Sequence, residues 1–108
     1  MTTALELFEA KKLMLGSANR ESLDIINLVL LVCINGTMKT HIMYKCNLNS
    51  KQVQEYLEIV LRFELVRKVE SESDRTVYLT TEKGRKLIEA YASLLDIFGL
   101  HGEDSPQG

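Results

Sequence analysis

Tryptophan is absent from this chain, and aromatic residues make up only 6% of it. The core must therefore be aliphatic, built from Leu, Ile and Val. The single proline, Pro106, falls in the polar stretch 101–108, which reads as a flexible tail. No long hydrophobic run exists. The longest, residues 25–34, is about half the length a membrane span needs, so no transmembrane helix is expected. It also starts too far in, without a basic region before it, to be a signal peptide. A soluble, cytoplasmic protein is the expectation. Two cysteines, Cys33 and Cys46, suit a reducing compartment as free thiols. Together with His41 they match no zinc-ligand spacing and lack a fourth ligand, so no metal site is expected. Glycine-rich phosphate loops are missing. Of the two histidines, His101 lies in the tail and His41 has no partner that sequence can place beside it. The chain reads as a non-enzyme without a cofactor.

Its 108 residues suffice for one domain, with a hydrophobic content of 45% that is ordinary for a globular fold. A domain so small buries a modest fraction of its surface, which makes oligomerisation useful. The net charge of −2 argues against a general nucleic-acid coat protein, but its distribution is uneven. Between Lys39 and Lys86 ten basic residues face seven acidic ones, a local surplus of three, whereas residues 1–38 sum to −1 and residues 87–108 to −4.

Periodicity predicts an amphipathic helix over 4–15, broken at 16–19, and a buried helix over about 21–34, stopped by Asn35-Gly36. A short helix around 40–46 then runs through the turn Asn47-Leu48-Asn49 into a second helix. There Asn49 is a natural N-cap and Gln52 completes a capping box. Val53, Tyr56, Leu57, Val60 and Leu61 form the apolar stripe of that helix, and Lys51, Glu55, Glu58 and Arg62 form its opposite face. Residues 65–69 and 76–80 alternate like the strands of a half-buried hairpin, with a polar tip at 71–75. Thr37-Met38 could add a stub strand beside it. Thr81 caps a last helix to about Phe98, and Gly99 ends it. The expected fold is mainly α with a small β-hairpin: a winged helix-turn-helix with an extra N-terminal helix and a C-terminal dimerisation helix. Residues 1–100 would form one domain, with helix 4–15, core 20–80 and helix 81–98.

The run from Gly36 to Ile42, then Asn47-Leu48-Asn49-Ser50, Tyr56-Leu57 and Leu79-Thr80-Thr81-Glu82-Lys83-Gly84, resembles a group of small archaeal winged-helix proteins. That group includes transcription-regulator-like and chromatin-associated DNA binders. The chain departs from its pattern at Leu48-Asn49-Ser50, where Leu-Ser is usual, and at Glu64, where a glycine often ends the recognition helix. The resemblance covers about half the chain. It implies the winged fold, double-stranded DNA as partner, and dimerisation through the helix after the wing.

A recognition helix reads base edges with polar side chains near its N-terminal half, and Asn49, Ser50, Lys51, Gln52 and Gln54 supply them. Lys39, Thr40, His41 and Lys45 lie on or beside the preceding helix, where phosphate contacts position a protein on DNA. In the wing, Glu70, Glu72 and Asp74 surround a lone basic group, Arg75, which could reach a phosphate or the minor groove. Leu87, Tyr91, Leu94 and Phe98 follow the 4-3-4 spacing of a coiled-coil seam, with Ile88 and Leu95 in a neighbouring stripe. Ile59 and the apolar side of helix 4–15 also need cover, either by the chain itself or by a two-fold mate. The expected function is therefore DNA binding as a dimeric transcriptional regulator or architectural protein. The alternatives are a winged-helix adaptor for protein partners, without DNA binding, and a sensor with a ligand at the dimer interface.

Overall fold

Ile26, Val29, Leu30 and Cys33 recur at helical spacing and are all buried, which makes their helix the central post of the molecule. The computed structural model describes residues 3–5 and 20–99. Within them the order is α1 (Arg20–Val32), α2 (Lys39–Lys45), α3 (Ser50–Arg62), β1 (Val66–Glu70), β2 (Thr76–Thr80) and α4 (Glu82–Ile97). This is a winged helix-turn-helix. Of the helix expected over 4–15, Ala4 and Leu5 are helical, and the rest lies outside the described residues, as does the tail 101–108.

The buried stripe of α3, Val53, Leu57 and Val60, joins α1 and Ile42 in one aliphatic core. Tyr56 and Leu61 flank that stripe half-buried. Ile59, read from sequence as needing cover, is also packed against the core. Helix α1 stops at Val32, two residues before its expected end, and Cys33 lies in the turn that follows, with Gly36 at φ +85°. The Cys33 carbonyl accepts from Gly36 and from Thr80, so helical bonding gives way to contacts with the hairpin.

Both helices of the helix-turn-helix end in the same way. After α2, Asn47 adopts a left-handed conformation (φ +56°), and Leu48 N–H reaches back to the Met43 carbonyl. After α3, Glu64 does so (φ +60°), with Leu65 N–H on Val60 O at 2.8 Å and Glu64 N–H on Leu61 O at 3.0 Å. These are Schellman closures, which satisfy carbonyls left over at a helix end. The second one accounts for β1 starting at Val66 rather than at the expected Leu65, because Leu65 is held back against α3.

The strands pair antiparallel from Val66↔Thr80 to Glu70↔Thr76, and Thr37 adds a single bridge to Tyr78. At the tip Asp74 N–H bonds to Ser71 O, with Asp74 left-handed at φ +66°, a conformation Asp tolerates. Thr80, only 5% exposed, donates its hydroxyl to the Leu30 carbonyl at 2.6 Å. Thr81 caps α4 through Gly84 N–H and donates to the Glu64 carbonyl at 2.7 Å. A Cβ on Gly84 would collide with the Leu65 carbonyl oxygen and with Thr80 Cγ2, so this crossing admits only glycine.

Glu64 is exposed, and Thr81 bonds to its backbone, so replacing it keeps the contacts and removes the left-handed strain. Glu64→Gly is expected to stabilise the chain by about 1 kcal/mol, offset in part by glycine's extra entropy when unfolded. A urea midpoint that rises at unchanged slope is the expected result.

Candidate nucleic-acid interface

The outer face of the helix-turn-helix follows from which residues the core takes. Ile42, Cys46 and Leu48 point inward, leaving Thr40, His41, Tyr44 and Lys45 exposed on α2. On α3, burial of Val53, Leu57 and Val60 leaves Ser50, Lys51, Gln54, Glu55 and Glu58 outside. Two of the expected base readers have another task. Asn49 Oδ1 accepts from Gln52 N–H at 2.8 Å, and Gln52 Oε1 accepts from Asn49 N–H at 3.0 Å. This reciprocal capping box satisfies the open helix end and holds both side chains there.

Two other expected contacts meet each other. Lys39 Nζ donates to Gln54 Oε1 at 2.6 Å, and Gln54 Nε2 donates to Glu58 Oε2 at 3.3 Å. The chain of bonds runs from α2 across to α3 and along it. Lys39 is thus turned toward α3 and is not simply a free phosphate donor.

His41 and Arg75 come together from separate elements. With Gly36, Thr37, Ser71 and Val77 they line a shallow notch of about 300 Å³ between the start of α2 and the wing. The wing's acidic groups, Glu70, Glu72 and Asp74, are exposed around Arg75. Tyr44, 84% exposed, was missed by the sequence reading. Its signal was available: it lies four residues after Thr40 and three after His41, hence on their face of the helix.

The residues assigned to a dimer seam divide. Tyr91 is 6% exposed and so is buried within its own chain, which corrects its place in the seam. Leu87 and Ile88 pack half-buried against the core, and Leu95 is half-buried. Leu94 and Phe98 remain exposed and are joined by Ile97. The α1 residues Leu28 and Leu31 are exposed as well, and α1 packs against α4.

The family model described as winged helix-turn-helix matches residues 19–98. The chain belongs to the winged helix-turn-helix family. Among solved structures, a Staphylococcus aureus MepR mutant bound to an oligodeoxyribonucleotide aligns with a TM-score of 0.64 at 19% identity, over 92% of this chain and 80% of that one. The MepR–DNA complex from the same organism aligns with 0.60 at 21% identity, over 90% and 78%. Sso10a-2, a DNA-binding protein from Sulfolobus solfataricus, aligns with 0.58 at 22% identity, over 69% and 79%. At these identities the likeness is one of fold, and it singles out no lineage. No curated protein matches the sequence.

Behind this winged-helix surface the two thiols are buried. Burial, with a smaller contribution from negative charge on Cys46, pushes the Cys33 thiol up to about 12, and burial also raises Cys46. Among the described residues no three His, Cys, Asp or Glu side chains gather as metal ligands. A raised thiol holds its proton in the folded chain and loses it first in the unfolded one, so stability falls as pH rises from about 9 toward 12. At pH 8 both cysteines of the folded protein should resist iodoacetamide while the urea-unfolded chain is alkylated readily, as mass spectrometry would show.

Proposed function

We propose that this chain binds double-stranded DNA in the cytoplasm as a dimeric transcriptional regulator or architectural protein, with α3 as the recognition helix. The observation that carries this is the exposure of hydrogen-bonding side chains on both helices, which Lys39 and Gln54 link directly. Ser50, Lys51 and Gln54 at the start of α3 are exposed, as are Thr40, His41, Tyr44 and Lys45 of α2. Arg75 adds a cation from the wing, next to His41. The likeness in fold to MepR bound to an oligodeoxyribonucleotide supports the same use of the fold. On this reading Lys45, Lys51, Tyr44 and the His41–Arg75 notch hold phosphates, and Ser50 and Gln54 face base edges. Asn49 and Gln52 serve the surface by holding the start of α3 rigid.

The exposed end of α4 supports the dimer. Ile97 and Phe98 are 78% and 68% exposed, and Leu94 lies one turn back from Phe98. With Leu28 and Leu31 these residues supply apolar surface that a two-fold mate would cover. No helix among the described residues is long and apolar enough to cross a membrane, so no membrane partner enters this reading.

Fluorescence anisotropy with random duplex DNA at two salt concentrations tests the binding. Affinity should fall by roughly 0.9 log unit per log unit of salt for each phosphate neutralised. Lys45→Ala and Lys51→Ala should each weaken binding to every sequence and lower that slope by about one. A protein-binding adaptor would show no salt-sensitive retention of duplex at low micromolar concentration. For the dimer, Leu94→Glu with Phe98→Glu places two charges per chain in the seam, a large cost if the site is buried. Light scattering after size exclusion should then report a folded monomer with much weaker DNA binding. A dimer mass that survives both substitutions would place the interface elsewhere.

A further inference from the structure

Gln54 stands exposed on α3 between two groups of opposite chemistry. Its Oε1 accepts from the Lys39 ammonium at 2.6 Å, and its Nε2 donates to the Glu58 carboxylate at 3.3 Å. An ammonium can only donate and a carboxylate can only accept. Turning the amide over would set its NH₂ against a donor and its oxygen against an acceptor. Lys39 and Glu58 therefore dictate which way the amide faces. Glu58 lies one helical turn beyond Gln54, and Lys39 reaches over from α2, so the clamp spans both helices.

A carboxamide carries two N–H donors and two acceptor lone pairs. The clamp uses one of each. One donor and one acceptor remain on the solvent-facing amide, with their order fixed. In the major groove adenine offers an acceptor at N7 and a donor at N6. Guanine offers two acceptors there, thymine an acceptor and a methyl group, and cytosine a donor. Adenine alone pairs with both remaining groups.

We propose that Gln54 is a specificity-determining residue that selects adenine, and that Lys39 and Glu58 are positioning residues that hold its amide in the reading orientation. This rests on the reading of α3 as a DNA-recognition helix. It gives Glu58 a role that its charge, on a helix facing phosphates, otherwise opposes. It also predicts a qualitative signature: the base preference should follow the chemistry at position 54, and its strictness should depend on position 39.

Selection from a randomised duplex pool followed by sequencing tests this with the full-length protein and three variants. Wild type should enrich adenine over guanine at one position of each half-site by about 5- to 150-fold, the discrimination of one bidentate pair. Gln54→Ala should flatten that position. Gln54→Glu should turn its preference toward cytosine, whose N4 donates to a carboxylate. Lys39→Met frees the amide to turn, so guanine should enter and the adenine-to-guanine ratio should fall several-fold. If Lys39 served only as a phosphate contact or a structural prop, affinity would drop for all sequences at an unchanged ratio, which overturns its positioning role. Wild type that retains duplex without base preference, or Gln54→Ala that keeps the adenine, overturns the assignment of Gln54. Failure of wild type to retain any duplex overturns the DNA reading of the whole surface, and this inference with it.

Discussion

The ends of α1 and α3, the wing and the start of α4 are joined at one five-residue stretch, 80–84. Thr80 donates its hydroxyl to Leu30 O and its N–H to Cys33 O, closing the end of α1. Thr81 donates to the carbonyls of Glu64 and Leu65, just past the end of α3, and its side chain also caps α4. Gly84 then lets the backbone of α4 pass directly over Leu65. The Thr80 bonds and the Thr81 cap satisfy groups that helix termini leave open, and a buried polar group left unpaired costs about 1–3 kcal/mol. The orientation of α3 relative to the wing is therefore set by hydrogen bonds as well as by apolar packing. The run Leu79-Thr80-Thr81-Glu82-Lys83-Gly84 is the chemical description of this junction.

That junction explains what was legible in advance. Local rules found the fold: the apolar stripe of α3, the Asn49–Gln52 capping box, the alternating strands and the Thr81 cap each depend on residues within one turn or one pair of strands. What needed the third dimension was less accessible. Leu65 alternates like a strand residue, but the left-handed Glu64 beside it ties it to α3. Helix α1 yields two residues to the hairpin because Thr80, some fifty positions later, takes its carbonyls. Tyr91 has seam spacing, yet its side chain turns into its own chain. Periodicity defines an apolar face of a helix and does not say whether that face meets this chain or another.

The candidate site divided in the same way. Residue types and spacing placed Ser50, Lys51, Gln54 and Lys45 on the outside, and they are outside. Sequence could not tell which polar side chains were already engaged. Asn49 and Gln52 were recognised both as a cap and as base readers, and their side-chain oxygens are engaged in the cap. Lys39 and Gln54 lie fifteen residues apart, so their contact follows only from the packing of α2 on α3. A chain with a net charge of −2 and an acidic wing has few cations for phosphates. On the proposed reading it would lean more on oriented amides and hydroxyls, and less on bulk charge, than a strongly basic binder does.

The same junction would couple assembly to recognition. Helix α4 starts against Glu64 and Leu65, just past α3, and, at 16 residues, runs for about 24 Å to its exposed end at Leu94, Ile97 and Phe98. Half-sites on one face of a duplex lie about 34–36 Å apart. In the proposed dimer, two such helices meeting near their exposed ends act as struts whose crossing angle sets the distance between the two α3 helices. Because each strut is tied through Thr81 and Gly84 to Glu64 and Leu65, directly after α3, a change in the seam would be passed on toward α3. It must appear as a change in half-site spacing. The sequence of the α4 seam would then determine where on DNA the dimer can sit, while α3 would determine which bases it accepts there.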